Sequence, residues 1–89
     1  LEQAAAARRV RAEVKELLKT GSITLPELLE RAESEEFVGG LKVSTVLESL
    51  PGMGKIKAKR LLESLGIAEN RRLRGLGERQ RSALLSQAG

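Results

Sequence analysis

Apolar residues recur along this chain at intervals of three and four, with charged and polar positions between them. That is the period of amphipathic helices rather than the alternation of strands. Val10, Val14, Leu17 and Leu18 follow the alanine run Ala4 to Ala7, which predicts a long helix over residues 2–19, stopped at Thr20 and Gly21. Thr24-Leu25-Pro26-Glu27 has the form of a capping box, and Ile23 and Leu28 are spaced for a hydrophobic staple. A second helix over 25–33 follows, with Leu25, Leu28, Leu29 and Ala32 inward. Residues 34–38 predict a further helical turn broken by Gly39-Gly40. Residues 42–49 predict a short helix with Val43, Val46, Leu47 and Leu50 on its apolar side, stopped by Pro51-Gly52. From about Lys55 to Leu65, Ala58, Leu61, Leu62 and Leu65 share one face, and Gly66 ends the helix. Ile67 to Gly77 reads as irregular, and a last helix from about Glu78 to Gln87 buries Ala83, Leu84 and Leu85. No strand, repeat or low-complexity tract is evident. The expected fold is all-α: a basic N-terminal helix or arm over 1–21 followed by a compact core over 22–89.

At 89 residues there is room for one hydrophobic core. One Phe and no Tyr or Trp make that core aliphatic, with Phe37 as an anchor, because a lone aromatic cannot build a base-stacking surface. The absence of Cys and His excludes disulfides, thiolate zinc sites and imidazole acid–base chemistry. All 12 acidic residues are Glu, none in an arrangement that marks a catalytic base or a metal site. No enzymatic activity, cofactor or metal is expected. No apolar run approaches the ~20 residues of a membrane span, and no membrane association is expected; a cytoplasmic location is expected. The chain opens at Leu1 without Met, and a preceding segment is expected.

The charge is +4 overall but unevenly placed: residues 1–50 sum to −2 and residues 51–89 to +6. A cationic C-terminal part is the footprint of a polyanion-binding surface, and charge alone leaves open a basic face kept for solubility. The first helix adds Arg8, Arg9, Arg11, Lys15 and Lys19, with Glu16 spaced to pair with Lys19.

The most specific segment is Leu50-Pro51-Gly52-Met53-Gly54-Lys55-Ile56-Lys57-Ala58, which joins two amphipathic helices through glycines one residue apart. Gly52 permits positive φ in a tight turn, and Gly54 lets the backbone approach a ligand. The free N–H groups opening the next helix form an anion site, with Lys55 and Lys57 beside it. Ala58 is small enough for close helix packing. A Walker loop needs four residues between its glycines, and a dinucleotide fingerprint needs a third Gly and a preceding strand. The second marked segment is Arg71-Arg72-Leu73-Arg74-Gly75-Leu76-Gly77. Arginines on such a loop can enter a narrow minor groove, bridge phosphates or instead bind helix C-terminal carbonyls.

Pro51-Gly52-Met53-Gly54 with Ala58 resembles the hairpin of helix-hairpin-helix and helix-two-turns-helix DNA-binding proteins. Together with Ala-Ala-Ala-Arg-Arg at 5–9, Leu41-Lys42-Val43-Ser44, Leu47 to Lys55 and Arg71 to Gly77, the chain is similar to the actinobacterial integration host factor family. The resemblance implies a monomeric, nucleoid-associated protein with a helix-two-turns-helix core. Such a protein binds double-stranded DNA with little sequence preference, bends it and assists phage integrase–DNA complexes. It places hairpin contacts at Pro51, Gly52, Met53, Gly54 and Lys55, with Lys57 beside them. Arginine-rich contacts fall at Arg71, Arg72, Arg74 and Gly75, and secondary contacts at Arg8 and Arg9. The runner-up resemblance is to a small-subunit ribosomal protein with the same core and a basic tail, which would bind structured RNA.

Overall fold

A computed structural model describes residues 2–88. Its elements are α1 (Glu2–Lys19), α2 (Leu25–Ser34), α3 (Glu36–Gly39), α4 (Val43–Ser49), α5 (Gly54–Leu65), a 3₁₀ turn (Leu73–Gly75) and α6 (Glu78–Ala88). No strand occurs among the described residues, and the all-α expectation holds. None of the helices is long and apolar enough to cross a membrane.

The local signals act as chemistry requires. Thr24 Oγ1 accepts from the Glu27 amide at 3.4 Å while Glu27 Oε1 accepts from the Thr24 amide at 3.3 Å, closing the capping box at the start of α2. At the other end Arg31 grips Glu35 with two hydrogen bonds, Nε to Oε2 at 2.8 Å and Nη2 to Oε1 at 3.1 Å. Those bonds hold the Glu35 carboxyl below the usual carboxylate range and raise the Arg31 guanidinium. The expected Glu16 to Lys19 pair does not form. Among the described residues the ion pairs are Arg31–Glu35 and Arg81–Glu33, the latter at 2.6 Å tying α6 to α2. An exposed lysine gains too little from such a pair to offset the side-chain entropy it loses.

One aliphatic core runs through the molecule. α1 contributes Val14 and Leu18, α2 contributes Leu25, Leu28, Leu29 and Ala32, and α4 contributes Val43, Val46 and Leu47. Ala58 and Leu62 of α5 and Leu84 of α6 complete it, with Val38, Leu41, Ile67 and Leu73 from the shorter segments. α1 packs on α3 and α4, while α5 packs on α4 and α6. Ala58 is 1% exposed, and any larger side chain there would push α5 off its neighbours.

Three further expectations need correction. Phe37 is only half-buried and stands outside the core; aliphatic side chains alone fill the centre. In α6 only Leu84 is fully buried, with Ala83 and Leu85 half-exposed at the margin of a terminal helix. The segment after Gly66 is more ordered than its composition indicates. Val43 N–H donates to Arg71 O at 2.8 Å and Leu73 N–H to Leu41 O at 2.9 Å, around an antiparallel bridge between Lys42 and Arg72. Hydrophobic periodicity carries no signal for so short a pairing, whose energy is main-chain hydrogen bonds plus the burial of Leu73.

Candidate nucleic-acid interface

The turn between α4 and α5 is built by backbone conformation. Gly52 and Gly54 lie at φ 75° and 70°, in the left-handed region, with Met53 between them at φ −81°. A Cβ at either glycine would meet no atom within 4 Å, so it is the dihedral angle, not space, that requires glycine. Gly54 therefore has an intrinsic conformational role in addition to the close approach expected of it, and α5 opens at Gly54 itself. Met53 N–H donates to Leu50 O at 3.1 Å, its side chain packs against the core, and no side chain caps α5. The first-turn amides are thus left for an outside acceptor at the positive end of the helix dipole. Pro51, Gly52, Gly54, Lys55, Ile56 and Lys57 are all exposed around them.

Two shallow grooves extend from this turn. In one, Gly54 and Lys55 face Lys15 and Lys19 of α1 across Thr45, Glu48 and Ser49 of α4. In the other, Lys55 and Lys59 border Ser44, Glu48 and Glu69. Basic residues of α1 recur every fourth position from Arg11 through Lys15 to Lys19, so they line one side of the helix.

The arginine segment lies elsewhere on the surface. Its 3₁₀ turn packs against α2 and α3 rather than α5. Arg72 Nη1 donates to Gly40 O at 2.6 Å and Arg71 Nη1 to Gly75 O at 3.3 Å, so each guanidinium has one N–H fixed on a main-chain carbonyl and keeps others free. Arg74 and Gly75 are exposed, and Arg71, Arg72, Arg74 and Gly75 share a shallow depression with Ala68 and Asn70. Arg72 and Arg74 also line a cleft with Ala7 and Arg11 of α1, Glu36 and Phe37.

The two basic segments are linked along α1 instead of along α5. α1 touches both, through Lys15 and Lys19 at the turn and through Ala7 and Arg11 at the arginine segment. Arg8 lies on the same side of α1 as Lys15 and Lys19, whereas at ~100° per residue Arg9 points well away from them. Arg8 Nε bonds Ala4 O at 3.4 Å within its own helix. Arg11, Lys15, Lys19, Lys42 and Lys59 are interface candidates beyond the contacts that the family resemblance implies. The four-residue recurrence on α1 signals three of them, but nothing local signals Lys42, which owes its place to the bridge with Arg72. Among the described residues no cluster of His, Cys, Asp or Glu is arranged to hold a metal ion.

The chain is similar over its length to known proteins. Residues 18–87 match the model of the S13-like H2TH domain. The chain is 56% identical over 89 residues to the integration host factor of Mycobacterium tuberculosis, covering all of this chain and 85% of that protein. It is 55% identical over 87 residues to that of Mycolicibacterium smegmatis, covering 98% and 83%. It is 51% identical over 89 residues to that of Streptomyces coelicolor, covering 100% and 83%. A solved structure of sIHF bound to an 8 bp palindromic DNA superposes with a TM-score of 0.94 at 50% identity, covering both chains in full.

Proposed function

The chain belongs to the S13-like H2TH family and, within it, to the integration host factors; from that premise we propose that it is a nucleoid-associated protein that binds double-stranded DNA. The observation that carries the reading is the uncapped N-terminus of α5, set on a two-glycine turn between exposed lysines. Amides and lysines there would hold the phosphate backbone, which gives affinity with little base information.

Around that contact we place Pro51, Gly52, Met53, Gly54, Lys55 and Lys57, with Arg71, Arg72, Arg74 and Gly75 as a second contact. Residues 1–21 serve as a basic arm, offering Arg8 and, less directly, Arg9, on a DNA-binding core formed by residues 22–89. Two contacts on separated faces would let one monomer bend the duplex, organise the chromosome in the nucleoid, and assist phage integrase–DNA complexes. No residue of the site is placed as a nucleophile or a general base, and the role is architectural rather than catalytic.

The deciding experiment measures affinity for duplex DNA and for structured RNA over a range of salt. With about six phosphates neutralised, log K for DNA falls with log salt at a slope of roughly −5, and random duplex sequences differ little. A slope near zero, or RNA bound more tightly than DNA, would overturn the reading.

A further inference from the structure

Among the described residues Ile56 is the large apolar side chain left in water: 70% of its surface is exposed. It sits in the first turn of α5 between Lys55 and Lys57, both exposed, and two residues beyond Gly54. No packing role within the fold accounts for it, since Ala58 and Leu62 supply the buried face of α5. Side chains on a helix lean toward its N-terminus, so Ile56 leans over the end of α5 whose amides are free.

A phosphate held there is flanked by sugars. At a single phosphate, amides and lysines see a group common to DNA and RNA, so that one contact does not identify the sugar beside it. A contact to the sugar itself does. Deoxyribose presents an apolar face, whereas ribose carries a 2′-hydroxyl that an aliphatic side chain would strip of water without replacing its hydrogen bonds. We propose that Ile56 is a specificity residue that packs on deoxyribose beside the bound phosphate and makes the site prefer DNA to RNA. The inference rests on duplex binding at the α4–α5 turn, and supplies the discrimination that a single phosphate contact lacks.

The test compares short duplexes of one sequence, made as DNA and as RNA, against the full chain and its Ile56→Val, Ile56→Ala and Ile56→Gln variants. Ile56→Ala is expected to weaken DNA binding by about fivefold to tenfold while RNA changes by no more than about twofold. Ile56→Gln should close the gap further, and Ile56→Val should keep most of the preference. Because no charge is removed, the salt slope stays that of the unmodified protein. Thermal unfolding should not move, because the side chain is exposed. An unchanged DNA-to-RNA ratio in Ile56→Ala and Ile56→Gln, with the unmodified protein binding DNA, would overturn this inference and leave the proposed function standing. Failure of the unmodified protein to bind either duplex would overturn both.

Discussion

Arg72 Nη1 donates to the carbonyl oxygen of Gly40 at 2.6 Å, across 32 positions of sequence, while the backbone of the same residue bridges to Lys42. The arginine segment is therefore held from both its main chain and a side chain against the α3–α4 connection. An arginine in such a place has two duties, and mutation separates them.

Arg72→Ala should lower stability by about 0.5–1.5 kcal/mol through the lost hydrogen bond to Gly40, as well as weakening DNA binding. Arg74→Ala, with no carbonyl to release, should weaken binding with little change in unfolding temperature. Thermal unfolding beside binding measurements separates the two. Equal stability losses would show that the Arg72–Gly40 bond contributes nothing in solution.

The helices, their stops and the capping box were legible because each has a local cause: Thr24 and Glu27 meet within one turn, and Leu62 falls on the face that Ala58 begins. The α4–α5 turn was legible for the same reason, since two glycines one residue apart are a local conformational statement. What was not legible depends on contacts between distant segments. Lys42 meets Arg72, and Lys15 meets Lys55, only after the chain has folded. Phe37 misled because hydrophobicity predicts burial on average, while this core is filled by Leu and Val before the ring reaches it.

The turn itself can be tested without touching charge. Gly52→Val and Gly54→Val each force a β-branched residue into the left-handed region, with an expected cost of about 1–3 kcal/mol and a clear loss of DNA binding. Nothing within 4 Å of either Cβ would clash, so Gly52→Asn, which tolerates that conformation, should recover most of both. Lys15→Ala should also weaken binding and reduce the salt slope by about one, because Lys15 shares a groove with Lys55. Arg79→Ala, which removes one exposed positive charge outside both grooves, is the control. If Gly52→Asn binds no better than Gly52→Val, the dihedral angle is not what the turn contributes.

Glu48 is an exposed carboxylate bordering both grooves beside the turn, which it shares with Lys15, Lys19, Lys55 and Lys59. It would stand close to an incoming phosphate and repel it. Glu48→Gln should tighten DNA binding by about twofold to fivefold at low salt, and the gain should fade as salt screens the charge. A gain that persists at high salt would point to altered packing of α4 instead.

Bending requires two contacts that are held rigidly relative to each other, and the packing of the arginine segment bears on whether it is the second one. A hairpin gripping one stretch of backbone leaves the duplex straight, whereas a cationic anchor further along can offset a bending cost of about 1–6 kcal/mol. Arg71 and Arg74 flank the tethered Arg72, and Gly39 packs between Ala32 of α2 and Arg74. A Cβ added at Gly39 would stand 2.7 Å from Ala32 O and 3.3 Å from Arg74 Cβ, so the 3₁₀ turn packs there with no space to spare. Arg71→Ala with Arg74→Ala should therefore abolish bending more completely than binding, as read by fluorescence transfer between dyes at the two ends of a short duplex. Lysine at both positions keeps the charge without the planar fork, and a partial loss of bending would favour bidentate or minor-groove contacts over simple neutralisation. Gly39→Ala leaves every charge in place but sets a methyl against the Ala32 carbonyl, so α3 must move away from α2 and disturb the 3₁₀ turn packed on both; it should lower stability and reduce bending without changing the salt slope. If the double alanine variant still bends DNA at saturation, the second anchor is not the arginine segment. The Arg11, Lys15 and Lys19 row of α1, which reaches the turn directly, would then be the cationic surface left to curve the duplex.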